Sequence, residues 1–427
     1  MTAPNGAIKF NNSTGSDTQS SGLGPAVAVY GSGASTTGAS AVVTGISTTG
    51  VSAGDLLWVQ SSSGRQFSII ATVDSSTQVT CDDVFATTES GRTWAIGGKR
   101  ATFDNADSRT LFSTPFDNSG LLEIKTETSQ SLSSTISLSG STDHEFTKKV
   151  YSDDLQTIST TGNFSAFSAS QYKTLIVQSI KFLSGSTSST TAAIDGGFIR
   201  ASDCVFGEEN GSFNFIHGIK GAYYAHGVHI DRCVFFGRGE TVSNGSAYRG
   251  SHYNGQPTII NDCLIQGFDS GIYNYPNQLK LHNSIIQKCK YGMEVAGGTI
   301  FPVIKNVIFH DINSHAIFGS SASRNHQRIG RYDISNLIFS EVSGDLMNFA
   351  SSSTFRCGGA SVSEYDDDIH TNSYKYNCTG GVVNFFPITI QTLTADPFVS
   401  AANGNFNLNN AAGGGAVLRS TSYTLGG

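Results

Sequence analysis

A short repeat constrains this chain more than any other feature. Six segments align without gaps, SDCVF, DRCVF, NDCLI, HNSII, KNVIF and SNLIF, centred on Cys204, Cys233, Cys263, Ser284, Val307 and Leu337. A seventh, QSIKF around Ser179, fits less well. Three positions before each centre stands Ile176, Ala201, Ile230, Ile260, Leu281, Ile304 or Ile334. Two positions after it stands Phe206, Phe235, Ile265, Ile286, Phe309 or Phe339, with Lys181 in the first copy. Successive centres lie 25, 29, 30, 21, 23 and 30 residues apart. A unit of that length is too short for a propeller blade, and it lacks both the leucine pattern of leucine-rich repeats and any helical period. What remains is a coil in which each repeat is one rung and equivalent residues stack at the inter-strand spacing.

Within a rung the pattern reads apolar in, polar out, an Asn, Asp or Arg turn, a small residue in, then Phe or Ile in. Cys204, Cys233 and Cys263 become neighbours in an interior stack, where unpaired cysteines act as small hydrophobes. The seven cysteines are odd in number and form no CxxC pair, so neither a disulfide framework nor a structural zinc site is indicated.

These segments resemble the right-handed parallel β-helix superfamily, the pectate-lyase-like fold also found in phage tailspikes. The resemblance is strongest over about 176–350. It implies an all-β chain: a right-handed parallel β-helix solenoid over 101–395 behind a small N-terminal β cap at 1–100. ADPFV at 395–399 and GNFNL at 404–408 resemble a closing stretch, giving a C-terminal segment at 396–427. In the first hundred residues, PAVAVYG, DLLWV, QFSIIATV and TQVTC read as short strands of a hairpin or small barrel anchored by Trp58 and Trp94.

Composition narrows the function. With 26 Lys+Arg, a net charge of -7 and no basic cluster, the chain offers nucleic acid no electrostatic footprint. No basic patch followed by an apolar stretch marks a secretory signal, and no run reaches the length of a membrane span. Extracellular-looking surface chemistry without an export signal points to a protein made in the host cytoplasm and carried outside on the surface of a virus particle.

The position after each centre should face solvent, yet it reads Ile180, Val205, Val234, Leu264, Ile285, Ile308 and Ile338. A soluble monomer rarely exposes such a stripe. Either these residues form an oligomer interface, as in a homotrimer packed about a threefold axis, or a bulge or a covering loop accounts for them.

Catalytic signatures are missing: no GxSxG elbow, no HExxH, no P-loop. The acidic run Glu364, Asp366, Asp367, Asp368 reads first as a solvated loop, and no metal or other cofactor is expected. Asp203, Arg232 and Asp262 form a column one residue before successive centres, which puts Arg232 between two carboxylates as a structural ladder. Tyr223, Tyr224, Tyr248, Arg249, His252, Tyr253, Tyr273 and Tyr275 concentrate in or beside the longest insertions, where solenoids carry binding loops. They are candidates for a host surface glycan, for contact with other virion proteins of capsid or tail, or for local packing. The leading expectation is a structural knob or spike of a phage particle, as head decoration (cement) or host-contact module. The alternative is a tailspike enzyme that degrades host surface polysaccharide.

Overall fold

The residue before each repeat centre sets a corner of the rung. In the computed structural model, Ser179, Asp203, Arg232, Asp262, Asn283, Asn306 and Asn336 all adopt left-handed backbone, with φ between 48° and 56°. Asn and Asp tolerate that region better than other residues with a Cβ, which accounts for their dominance in this column. Each corner leaves a carbonyl two residues before the centre facing inward. The Sγ atoms of Cys204, Cys233 and Cys263 donate to the carbonyls of Ser202, Asp231 and Asn261 at 3.2, 3.3 and 3.0 Å, and Ser284 Oγ does the same to His282 at 2.7 Å. A small side chain with a donor therefore suits the centre twice, by volume and by satisfying a buried acceptor.

The structure describes residues 8–11, 30–62, 64–97, 99–100, 121–126, 128–138, 147–186, 190–211, 214–221, 227–250, 257–274, 278–295, 302–319, 331–350, 355–358, 361–365, 376–379, 383–385 and 389–420. They fall into two units, Met1–Ser159 with Lys173–Ile180 and Thr160–Tyr172 with Lys181–Gly427.

The second unit is a parallel β-solenoid. Its register runs through Phe182, Phe206, Phe235, Ile265, Ile286, Phe309 and Phe339, and continues to Glu364 and Thr392. Like residues stack as the repeat requires. The Phe182 and Phe206 rings lie 5.0 Å apart, Phe206 and Phe235 4.5 Å, and Phe309 and Phe339 5.4 Å, all nearly parallel. Outside the corner, Asn306 Nδ2 donates to Asn283 Oδ1 and Asn336 Nδ2 to Asn306 Oδ1, both at 2.9 Å.

Pairing corrects the frame of the first copy. Lys181 pairs with Val205 and Phe182 with Phe206, so its centre is Ile180 rather than Ser179. Val177, Ile180 and Phe182 are fully buried, and Ser179 takes the corner. Lys181 fits the repeat poorly because it occupies the outward position, paired with Val205, one residue past the true centre.

The outward stripe is also corrected. Ile180 points inward, while Ile308 and Ile338 are buried under Leu393, Phe398, Ala401, Phe406 and Leu418, with Ile285 packed at the edge of that cluster. The cover is the C-terminal stretch of the same chain. It consists of the antiparallel pair Phe398–Ser400 and Asn405–Leu408, the turn Ala401–Asn403 between them, and the helix Gly415–Ser420. Asn409 ties it together, its Nδ2 donating to the carbonyls of Asp396 and Phe398 at 2.6 and 2.7 Å. Of the seven stripe residues, Val205, Val234 and Leu264 remain half-buried without that cover.

In the first unit, six antiparallel strands close a small barrel in the order Tyr30–Thr36, Ser40–Thr44, Gln78–Phe85, Gly64–Ser75, Leu56–Ser61 and Glu89–Gly97. Its core holds Val43, Leu57, Val59, Ile70, Val79, Phe85, Trp94 and Ile96. The strands expected in DLLWV, QFSIIATV and TQVTC are there. Residues 25–29 of PAVAVYG lie outside the described residues.

Small residues keep the rungs thin. The register aligns Gly218 with Ala247, Gly271, Gly292 and Ala316. A Cβ on Gly218 would lie 2.5 Å from the Phe235 ring and 2.7 Å from the Ala247 carbonyl. Gly218→Val is therefore expected to cost about 1–3 kcal/mol, read as a lower midpoint in thermal or urea unfolding. An unchanged midpoint would contradict this packing.

Candidate functional site

Two successive rungs carry extra chain at nearly the same offset past the repeat centre, and a cleft forms between the additions. After Phe206 the chain turns at Gly207, φ +90°, into a loop that Asn214 staples. Asn214 Oδ1 accepts from the Glu208 amide at 2.8 Å, and its Nδ2 donates to the carbonyls of Glu208 and Gly237 at 2.9 and 2.8 Å. Asn214 is fully buried, so it ties this loop to the next rung. After Phe236 the chain runs through Gly237, Arg238, Gly239 and Glu240. Gly237 is required there, because a Cβ would sit 2.0 Å from the Gly267 carbonyl.

The cleft has a volume of about 670 Å³, within the range of small-molecule sites. Asn210, Phe236, Arg238, Glu240, Gln266 and Lys288 contribute its functional side chains. Gln266 is a buried hub. Its Oε1 accepts from Gln287 Nε2 at 2.7 Å, and its Nε2 donates to Glu209 Oε1 at 3.2 Å. Asn313 donates to Glu240. Lys181 Nζ pairs with Glu208 at 2.5 Å. Planar amides, a carboxylate and a guanidinium thus line the cleft, with one aromatic ring and with both charge signs present.

The aromatic candidates separate. Tyr248 is fully buried in the column Ile219, Tyr248, Ile272, Met293 and Ile317, its hydroxyl 2.8 Å from Thr258 Oγ1. Burial raises its pKa to about 12. It is core and not a ligand contact. Arg249 and Tyr273 come together on a half-exposed face of the solenoid, the guanidinium 4.6 Å from the ring centre. Burial raises the Tyr273 hydroxyl, the nearby Glu294 adds to that, and Arg249 opposes it. Glu294 accepts from Ser270 Oγ at 2.7 Å. Tyr223, Tyr224, His252, Tyr253, Tyr275 and Asp366, Asp367, Asp368 lie outside the described residues. Glu364 lies on the strand Ser361–Tyr365.

Two His–Ser pairs mimic a nucleophile and its base. His217 Nδ1 lies 3.0 Å from Ser246 Oγ, and His310 Nδ1 lies 3.3 Å from Ser340 Oγ. Both pairs are buried partners in adjacent rungs, and burial, reinforced by Arg249 and Lys220, lowers His217 to about 3. They are stacking contacts. The charge column forms in part: Arg232 grips Asp203 through Nε at 2.7 Å and a second nitrogen at 2.9 Å, and pairs with its neighbour Asp231. The hydrogen bond from Arg232 is the main reason the Asp203 carboxyl titrates below its usual range. Among the described residues no three His, Cys, Asp or Glu side chains gather as a metal site, and no helix is long and apolar enough to cross a membrane.

No family model and no curated protein matches the sequence. Several solved structures align with the chain at low similarity. The catalytic domain of a GH87 alpha-1,3-glucanase in complex with tetrasaccharides aligns over 86% of this chain and 75% of its own, at 12% identity and a TM-score of 0.43. The tailspike protein gp49 from Pseudomonas phage LKA1 aligns over 86% of this chain and 65% of its own, at 12% identity and 0.39. The Gp54 tailspike of Acinetobacter baumannii bacteriophage AP22, in complex with A. baumannii capsular saccharide, aligns over 91% and 68%, at 9% identity and 0.29. The fold itself is a parallel β-solenoid with a small antiparallel β domain at the N-terminus.

The β-helix residues that build the cleft were not singled out in the sequence. Their signal was present: GEENG and GRGE follow successive Val-Phe segments at nearly equal offset. Tyr248→Phe supplies a check on the division between core and site. Loss of the hydroxyl strands the buried Thr258 Oγ1 and is expected to cost about 1–3 kcal/mol in chemical denaturation. Stability equal to the parent would place Tyr248 outside the core.

Proposed function

We propose that the chain is a β-helix component of a phage particle's surface, and that its cleft holds a saccharide of the host surface. The observation that carries this reading is the cleft itself. Sugars are recognised by planar hydrogen-bonding groups that can each engage two neighbouring hydroxyls, set beside an aromatic face. Asn210, Arg238, Glu240 and Gln266 supply the first and Phe236 the second. The hydrogen-bonded row Gln287, Gln266 and Glu209 holds the polar groups in place before any ligand arrives, which lowers the ordering cost of binding. Rigidity is the contribution of the solenoid, whose rungs fix the loops to one another. In this reading the role on the particle is that of a knob or spike, as head decoration or as a host-contact module.

A second reading, cleavage of the polysaccharide, is favoured by one observation: Glu240 lines the cleft, and a second carboxylate, Glu209, is hydrogen-bonded to the cleft residue Gln266. Glycoside hydrolysis uses two carboxylates flanking the scissile bond. A glycan array followed by calorimetry with the best saccharide tests both. Gln266→Ala is expected to weaken binding about tenfold or more, since it removes the hub and unpairs its neighbours. Tyr273→Ala, on another face, is expected to leave affinity within about twofold. Affinity unchanged in Gln266→Ala, or no saccharide bound, would remove the cleft from this role. Release of reducing ends that is lost in both Glu209→Gln and Glu240→Gln would replace holding by cutting.

We also propose a homotrimer, with Val205, Val234 and Leu264 as the apolar contact left once the C-terminal segment is seated. Three stacked half-buried side chains in register form a continuous short stripe. Light scattering after size-exclusion chromatography is expected to read three copies of the 45.0 kDa chain at micromolar concentration, and one copy for Leu264→Glu. A monomeric parent chain would rule this assembly out.

A further inference from the structure

The C-terminal segment 393–419 is seated on the solenoid by apolar contact, and a histidine stands in the middle of that contact. His310, 5% exposed, meets Phe406 and Phe398 edge to face, with ring centres 5.3 and 6.4 Å away and planes inclined at 73° and 78°. The two phenylalanines also pack on each other at 5.1 Å. Beside them lie Ile308 and Ile338 from the solenoid and Leu393, Ala401 and Leu418 from the segment.

We propose that segment 393–419 is an acid-released clasp, held shut while His310 is neutral and loosened when His310 takes up a proton. The physical reason is that an imidazolium beneath two phenylalanine rings loses its hydration, while its nearest carboxylate, Glu341, forms only a long ion pair. Its Nδ1 faces Ser340 Oγ at 3.3 Å, and its Nε2 is 3.8 Å from Glu341, beyond hydrogen-bond reach. The charged groups around it are mixed. Asp311 on its own strand and Asp396 on the segment favour the proton, and Lys288 on the neighbouring rung opposes it. Glu341 lies on the rung at the other side. Burial outweighs the acids, so the closed state holds His310 below its ordinary value.

With the closed-state pKa below the open-state value of about 6.5, every proton bound favours opening. Closure is complete above about 6.5 and weakens as pH falls from there toward the closed-state value. Opening also carries Asp396 away from the imidazole. It bares Ile285, Ile308 and Ile338, which continue the row of Val205, Val234 and Leu264, so the apolar stripe lengthens from three residues to six. The clasp is independent of the saccharide reading of the cleft.

Hydrogen exchange followed by mass spectrometry on the full chain tests the clasp, with rates corrected for the intrinsic effect of pH. Between pH 7.5 and 5.5, protection of peptides within 393–419 is expected to fall, by at most about tenfold given an open-state value near 6.5, while the solenoid strand Leu279–Val295 keeps its protection. In His310→Gln the clasp peptides are expected to show no such fall. Equal protection at both pH values in the parent chain overturns the proposal, and so does the same fall in His310→Gln. A readout that needs no variant is the exchange of the His310 ring C–H in the parent chain. A midpoint clearly below 6.5 supports the clasp, and one at or above 6.5 overturns it.

Discussion

Parallel backbone pairing between one rung and the next is the interaction on which everything else rests. The Val234 amide reaches the Cys204 carbonyl at 2.9 Å, Leu264 the Cys233 carbonyl at 3.1 Å, and Ile285 the Cys263 carbonyl at 2.9 Å. Because the period along a strand is two, a slip of one residue would exchange every inward side chain for an outward one. The corners prevent that slip. A left-handed residue recurs at one position of each rung, and its amide also bonds to the next rung, as Asp203 does to Asp231 and Arg232 to Asn261, both at 3.1 Å. Register and corner therefore specify each other.

Fixed register converts one-dimensional chemistry into columns. A phenylalanine in one rung finds a phenylalanine above it, which is how Phe182, Phe206 and Phe235 come to stack. The same rule governs the polar positions. Gln266 and Gln287 share a column with His310 and Ser340, and each pairs with its neighbour across the rungs. Where the column passes under the cleft it supplies amides, and where it passes under the C-terminal segment it supplies the imidazole. One column thus serves a polar surface at one end and an apolar seat at the other.

The fold was legible because columns repeat in sequence, and the site was not because it does not repeat. Cys204, Cys233 and Cys263 announced the stack, and all three are buried in it. The first copy was framed one residue early because Ser179 resembles the small centres in type, yet it is the corner. Tyr248 misled for a related reason: it stands in the longest insertions by sequence, while its strand places it in the core column with Ile219 and Ile272. The stripe is apolar in sequence, and part of it, Ile308 and Ile338, is covered by the C-terminal segment. Which surface covers it depends on a segment more than fifty residues further along the chain, and periodicity carries no information about that. The cleft depends on backbone staples such as Asn214 and on loops of unequal length, so its parts share no pattern to detect.

Rung length is where the chain departs from bare architecture. The steps from Cys263 to Ser284 and on to Val307 take 21 and 23 residues, enough to close a rung with its corners. The steps from Cys204 to Cys233 and on to Cys263 take 29 and 30. The excess sits partly in the loops after Phe206 and Phe236, and those loops form the cleft. A solenoid has no reason of stability to lengthen a rung, since added loop residues bury little and cost ordering entropy. Asn214 is buried to hold the lengthened loop against Gly237, and Gly237 gives up a side chain to let the backbones approach. Two rungs hold their surplus in a fixed shape around a cleft lined with amides, a carboxylate, a guanidinium and one aromatic ring, and this is where the chain departs most from a bare solenoid.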